Sequence, residues 1–266
     1  MKRIFLFICL FPLLAFAQPE TYYVTFLKGI VINQQTKQAV KIGDKLSATD
    51  KLIFKDPQGK MACISPGKGR FELNGQKLSA DKSGELLAIL KSNLLPVTNT
   101  YHLSTRALVF EGYDPKTYFN AAETDERILL LTDKPLPIIP SWKTDAEHFF
   151  FIQYNNSNGK TITKKIPVSE KGLLFNSAIF ADESGNTLSQ KVMLCYQAKE
   201  NGKVYSQVLT SFVPVLAETS AIKEQVQLIK KYSSTTDKKK LQAELSAHIY
   251  TNFGKIGAEE LDTLTQ

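Results

Sequence analysis

The chain has 266 residues, of which 22% are charged, and a formal net charge of +7, enough length for two small hydrophobic cores. Its Lys and Arg residues are dispersed rather than gathered into a basic patch interleaved with aromatics, which argues against nucleic acid as a partner. Its three histidines, His102, His148 and His248, have no second His or Cys at ligand spacing, so neither a metal nor any other cofactor is expected.

Lys2 and Arg3 precede an apolar run, Ile4 to Phe16, which ends in Ala15-Phe16-Ala17. That is the order of a secretory signal peptide, with cleavage expected before Gln18. The run is 13 residues long, short of the roughly 20 needed to span a bilayer, so no stable membrane insertion is expected. Cys9 lies inside the run, away from the cleavage point, so no lipid anchor is expected. Removal of residues 1–17 takes away Lys2 and Arg3 and no acid, so +7 becomes +5. Cys63 and Cys195 then remain, far apart and in alternating apolar stretches, and read as two buried thiols, with a bridge between them as the alternative that an oxidising compartment allows.

From Tyr22 onward, short strands alternate with turns. Gly29 interrupts the first strand pattern as a bulge or bend. Gly43-Asp44 and Asp50 mark turns in which the aspartates accept backbone hydrogen bonds. Lys51 to Lys55, Lys60 to Ser65 and Arg70 to Leu73 read as strands, the last two joined by Ser65-Pro66-Gly67-Lys68-Gly69. Strands this short are expected to curl into a small barrel or roll, which also hides their edges.

Gly29, Gly43, Asp44, Leu46, Asp50, Leu52 and Phe54, with the later strand through Ala62, Ile64 and Ser65, resemble the FecR-type domain of bacterial envelope proteins. The resemblance covers about a fifth of the chain. It implies a module outside the cytoplasmic membrane that makes protein contacts, its matching positions being turn and core residues.

Leu73 to Thr105 has a weaker pattern, and Glu85 to Lys91 fits strand or helix equally. Ala107 to Glu111 and Arg127 to Thr132 read as strands. Three prolines between Lys134 and Pro140 exclude a helix and fit an extended connection. Phe149 to Tyr154 and Lys160 to Ile166 flank Asn158-Gly159. Val192 to Lys199 and Lys203 to Phe212 flank Asn201-Gly202, the strongest hairpin signal in the chain. With Gly172 to Phe175 and Ser177 to Ala181, these strands predict a second, antiparallel β-sandwich. The segments FFFIQYNNSNGKTITKKI and LCYQAKENGKVYSQVLTSFVPV also resemble a family of secreted Bacteroidota proteins, which implies an envelope location and a two-β-domain layout without a reaction.

Beyond Pro214, Ile222, Val226 and Ile229 share one helical face. Leu241, Leu245, Ile249 and Phe253 share another, on a helix opened by Asp237 and closed by Gly254. The expected class is therefore mainly β: a signal peptide over 1–17, a β barrel or roll over 18–98, a β-sandwich over 99–216 and a helical hairpin over 217–266.

Ser65 with Lys68, and Ser220 with Lys223, match the serine-x-x-lysine spacing of penicillin-recognising enzymes, but neither is accompanied by the further motifs that give the match force. No catalytic residue is assigned. Gly67, Lys68, Gly69 and Arg70 offer successive N–H groups and two cations, a candidate contact for an anion or a partner. Gly43, Asp44, Asp50, Asn201 and Gly202 are assigned to structural turns. The sequence thus points to a non-enzymatic, exported envelope protein that acts as an interaction or scaffold module, in the periplasm or at the cell surface. A second reading is a module binding cell-wall polymer or surface glycan through Lys68 and Arg70. A third, serine hydrolysis, rests only on the two serine-lysine pairs.

Overall fold

The computed structural model describes residues 20–75, 86, 109–110, 113–119, 127–156, 158–181 and 190–266. The expected signal peptide lies outside them, as do His102 and nearly all of the stretch from 76 to 105.

The chain is mainly β, with several sheets and a helical region near its C-terminus. Six short strands come first: β1 (Thr21–Lys28), β2 (Val31–Asn33), β3 (Lys45–Ser47), β4 (Leu52–Phe54), β5 (Lys60–Ser65) and β6 (Gly69–Asn74). The order β3-β1-β5-β6 forms an antiparallel sheet, and β2 pairs with β4 in a separate ribbon. Val31 and Leu52 of the ribbon join Tyr22, Val24, Met61, Cys63, Phe71 and Leu73 of the sheet in one buried cluster. The turns are fixed as their side chains predict: Asp44 accepts from Lys41 N at 2.7 Å and Asp50 from Ser47 N at 3.0 Å.

A bulge in β1 decides what the other face of this sheet does. Val24 pairs with Cys63 but Phe26 pairs with Ala62, which leaves Thr25 as the extra residue. An inserted residue reverses the in-out parity of everything after it. Phe26 therefore shares the opposite face with Ala62 and Ile64, and all three belong to a second core.

The next elements are β7 (Val109–Phe110), a single helical turn α1 (Pro115–Tyr118), β8 (Arg127–Leu131), β9 (Phe149–Asn155), β10 (Thr161–Lys165), β11 (Val168–Ser169), β12 (Gly172–Leu173), β13 (Val192–Glu200) and β14 (Lys203–Ala217). The five-stranded order is β10-β9-β13-β14-β8. Pairing is antiparallel except between β14 and β8. The expectation of a purely antiparallel sandwich is corrected here. The proline-bearing connection after β8 passes two intervening strands to reach β9, a crossover that returns the chain in the same direction. No second large sheet faces this one among the described residues. Its core is closed instead by Leu136, Ile166, Leu173, Phe175, Ile179, Phe180 and the α1 segment. Ser177 to Phe180 also departs from the expected strand and forms turns, with Ile179 N bonded to Asn176 O and Phe180 N to Ser177 O.

The helices are α2 (Thr219–Tyr232), α3 (Lys238–Phe253) and, after β15 (Ile256–Gly257), α4 (Ala258–Thr265). Asp237 caps α3 by accepting from Lys239 N and Lys240 N, which satisfies orphan N–H groups beside three exposed lysines. The two-helix hairpin expected from the sequence is extended by α4. Lys255 N bonds to Arg127 O at 3.0 Å and Leu129 N to Lys255 O at 2.8 Å, so the chain after α3 adds to the outer edge of β8 before turning into α4. Ile222, Val226 and Ile229, with Leu245, Ile249, Leu261 and Leu264, pack against Phe26, Ala62 and Ile64 of the first sheet and Leu129 and Leu131 of β8. The helices thus share a core with both sheets, and their apolar stripes are spent within the molecule.

Candidate functional site

The basic turn between β5 and β6 divides its two cations. Gly67 and Gly69 both have positive φ, +80° and +88°, a conformation that suits glycine. Lys68 projects outward, where its ammonium pairs with the Glu20 carboxylate. Arg70 is the partner of Ile64 in the ladder, and strand alternation sends its side chain to the helix-covered face. Only 5% of that side chain is exposed, and Nη2 lies 2.5 Å from Glu72 Oε1. The Lys68 N–H is already bonded to Ser65 O at 3.1 Å. The predicted pairing of Lys68 and Arg70 on one anion is therefore corrected: the first is on the surface and the second is buried.

The other sequence candidates also resolve into structural roles. Asn201 and Gly202 have positive φ and form the two-residue turn of the β13–β14 hairpin. Ser65 is buried, and Ser220 is bonded to Glu218. Cys63 and Cys195 are both buried and unpaired, and burial pushes the Cys63 thiol up to about 12. Among the described residues no group of three His, Cys, Asp or Glu side chains is placed to hold a metal. Trp142 donates from Nε1 to Asp114 Oδ1 at 3.0 Å and packs edge-on to Tyr196, with ring centroids 4.7 Å apart. It belongs to the margin of the second-sheet core.

Among the described residues, the β13–β14 hairpin gathers four of the exposed large hydrophobic side chains. Val204, Tyr205 and Val208 are 59%, 55% and 59% exposed, and Met193 on β13 is also exposed. Among the described residues, β14 has a strand partner on its far side only from Val213 onward, where β8 begins. Lys203 to Phe212 therefore pairs through β13 alone. Val208 stands in a cross-strand row with Cys195, Phe151 and Lys165, of which Cys195 and Phe151 are buried, so the exposed apolar surface is confined to the edge. The β13–β14 hairpin was legible in the sequence through Asn201-Gly202. Which of its two edges stays open was not, because that depends on where β8 stops.

A second feature is a cleft of about 150 Å³ between β8, the proline-bearing connection, Tyr113 and α4. Tyr113 donates its hydroxyl to Glu259 Oε2 at 2.8 Å, and the Tyr118 hydroxyl accepts from Gly257 N at 3.2 Å. Glu260 borders the cleft, and its Oε2 is buried without a hydrogen-bond partner. Burial holds the Glu260 carboxyl above the ordinary 4.5. Glu259 and Glu260 escaped the sequence reading. The only signal was an acidic pair beginning two residues past Gly257, in the first turn of a short helix, where the dipole favours such residues.

No family model, curated protein or solved structure matches the chain.

Proposed function

We propose that this chain is an exported, non-enzymatic envelope protein that docks another envelope protein along the open edge of β14. The proposal keeps the layout of a signal peptide, an N-terminal FecR-like roll, a second β domain and a helical tail. The observation that carries it is that β14 exposes Val204 and Val208 on one face and Tyr205 on the other, while its outer edge, among the described residues, is unpaired from Lys203 to Phe212. Unsatisfied edge N–H and C=O groups template strand addition, and alternate side chains then set specificity. The occupant is an extended segment with apolar residues at every second position and an acidic residue near Lys203, at the start of β14. A carboxylate there complements both this lysine and the +5 of the processed chain. The cell-wall-polymer reading depended on Lys68 and Arg70 acting together, and the inward Arg70 favours the protein-docking reading over it.

A photo-crosslinking residue at Ser206 tests the proposal in native cells. It is expected to trap one envelope protein, whereas the same residue at Lys223, on the exposed face of α2, traps none. Val204→Asp with Val208→Asp should abolish the adduct while leaving the far-ultraviolet spectrum unchanged. An adduct that survives the double substitution, or an adduct of twice the chain's own mass, overturns the proposal.

A further inference from the structure

The cleft beside α4 is independent of the β14 edge and has a different chemical character. Its walls are largely apolar, formed by Leu129, Leu136, Phe175 and the Tyr113 and Tyr118 rings, with Glu259, Glu260 and Lys134 at its polar end. Its volume, about 150 Å³, is about half the lower bound of roughly 300 Å³ typical of pockets that take a whole small-molecule ligand. That size suits one side chain. With both carboxyls ionised, one negative charge remains in excess over Lys134. The Tyr113 and Tyr118 rings stand 6.3 Å apart at 18°, and aromatic faces attract cations. Oε2 of Glu260 is buried against Gly257 without a donor, and the Tyr113 hydroxyl, already given to Glu259, is the neighbouring donor to the Glu260 carboxyl, so an ammonium at the polar end would add the missing positive charge.

We propose that this cleft holds a single alkylammonium group, the side chain of a lysine carried by an extended peptide, with its methylenes along Leu136 and Phe175 and its ammonium beside Glu260 and the Tyr113 ring. A neutral apolar side chain would fill the same space and leave Glu260 uncompensated. An anionic one would meet two carboxyls. The raised Glu260 carboxyl adds a consequence: a bound cation favours the ionised form, so binding tightens as pH rises through the Glu260 titration.

The test is a titration of the full-length protein with n-butylammonium chloride, followed through leucine methyl resonances, with n-butanol as the uncharged counterpart and alanyl-lysyl-alanine as the peptide. Butylammonium and the peptide are expected to shift the same methyls saturably, and n-butanol is not. Glu260→Gln should weaken binding about tenfold, which corresponds to about 1.4 kcal/mol. Equal binding of n-butanol, equal binding by Glu260→Gln, absence of saturation, or a response to butylammonium without one to the peptide overturns the assignment. Should Glu260→Gln fail to fold, Lys134→Met serves in its place. It removes the competing ammonium and should tighten binding, and unchanged or weaker binding overturns the proposal.

Discussion

Acidification should loosen the junction between the first sheet and the helices through one residue, His248. Its imidazole is fully buried. Nε2 lies 2.9 Å from Gln225 Oε1, and Nδ1 lies 3.1 Å from Asn252 Nδ2. An amide nitrogen only donates, so Nδ1 is the acceptor and Nε2–H the donor, which is the neutral ring in a single tautomer. Protonation would add a hydrogen on Nδ1 facing the Asn252 NH2 group. Burial, and then the nearby Arg70 cation, hold the folded pKa well below the unfolded 6.5. The unfolded chain thus takes up this proton at a pH where the folded chain does not. Stability is fully present above pH 6.5 and is lost as pH falls below it, by about 1.4 kcal/mol per unit until the folded pKa is reached. The unfolded value alone sets the ceiling on the loss between pH 7.5 and 5.0, about 2 kcal/mol. Urea denaturation followed by circular dichroism at both pH values, for the native chain and for His248→Gln, isolates the effect, because Glu72, Glu244 and the other titrating groups are common to both. Equal losses of stability in the two proteins would refute the reasoning.

Three further outcomes are expected. Gly254→Ala places a Cβ 2.3 Å from Arg127 O at a φ of +97°, so it should cost on the order of 3 kcal/mol in denaturation and speed exchange of the Leu129 amide. Glu72→Gln should destabilise by about 1–2 kcal/mol, because it strands the buried Arg70 guanidinium while Glu72 itself is partly screened, whereas Arg70→Met should be close to neutral in the same urea titration. Cys63, fully buried with a thiol pushed up to about 12, should resist a maleimide reagent at pH 7.5 in the native state and react in urea, as read by intact-mass spectrometry.

What could be read from the sequence followed the range of the interactions involved. The Asn201-Gly202 hairpin, the Asp237 cap and the stripe Ile222, Val226, Ile229 are set by neighbours a few residues away, and each stands where local chemistry places it. The parallel seat of β8 beside β14 was not legible, because it depends on a crossover whose path no short window contains. The short α4 was hidden for a related reason. Gly254 and Gly257 look like an ending, yet Lys255 between them exchanges backbone bonds with Arg127 and Leu129 and carries the chain onward. At the basic turn, Lys68 and Arg70 are two apart and would share a face in an extended strand. The turn ends at Gly69, so Arg70 obeys the strand parity of β6 and Lys68 does not.

The helix core has a consequence for the order of events during synthesis. Phe26, Ala62 and Ile64 emerge first and Leu129 and Leu131 next, but α2, α3 and α4, which cover all five, come last. Until then both sheets present bare apolar faces, so a nascent chain stalled before Thr219 should depend on a holding chaperone in a way the finished chain does not.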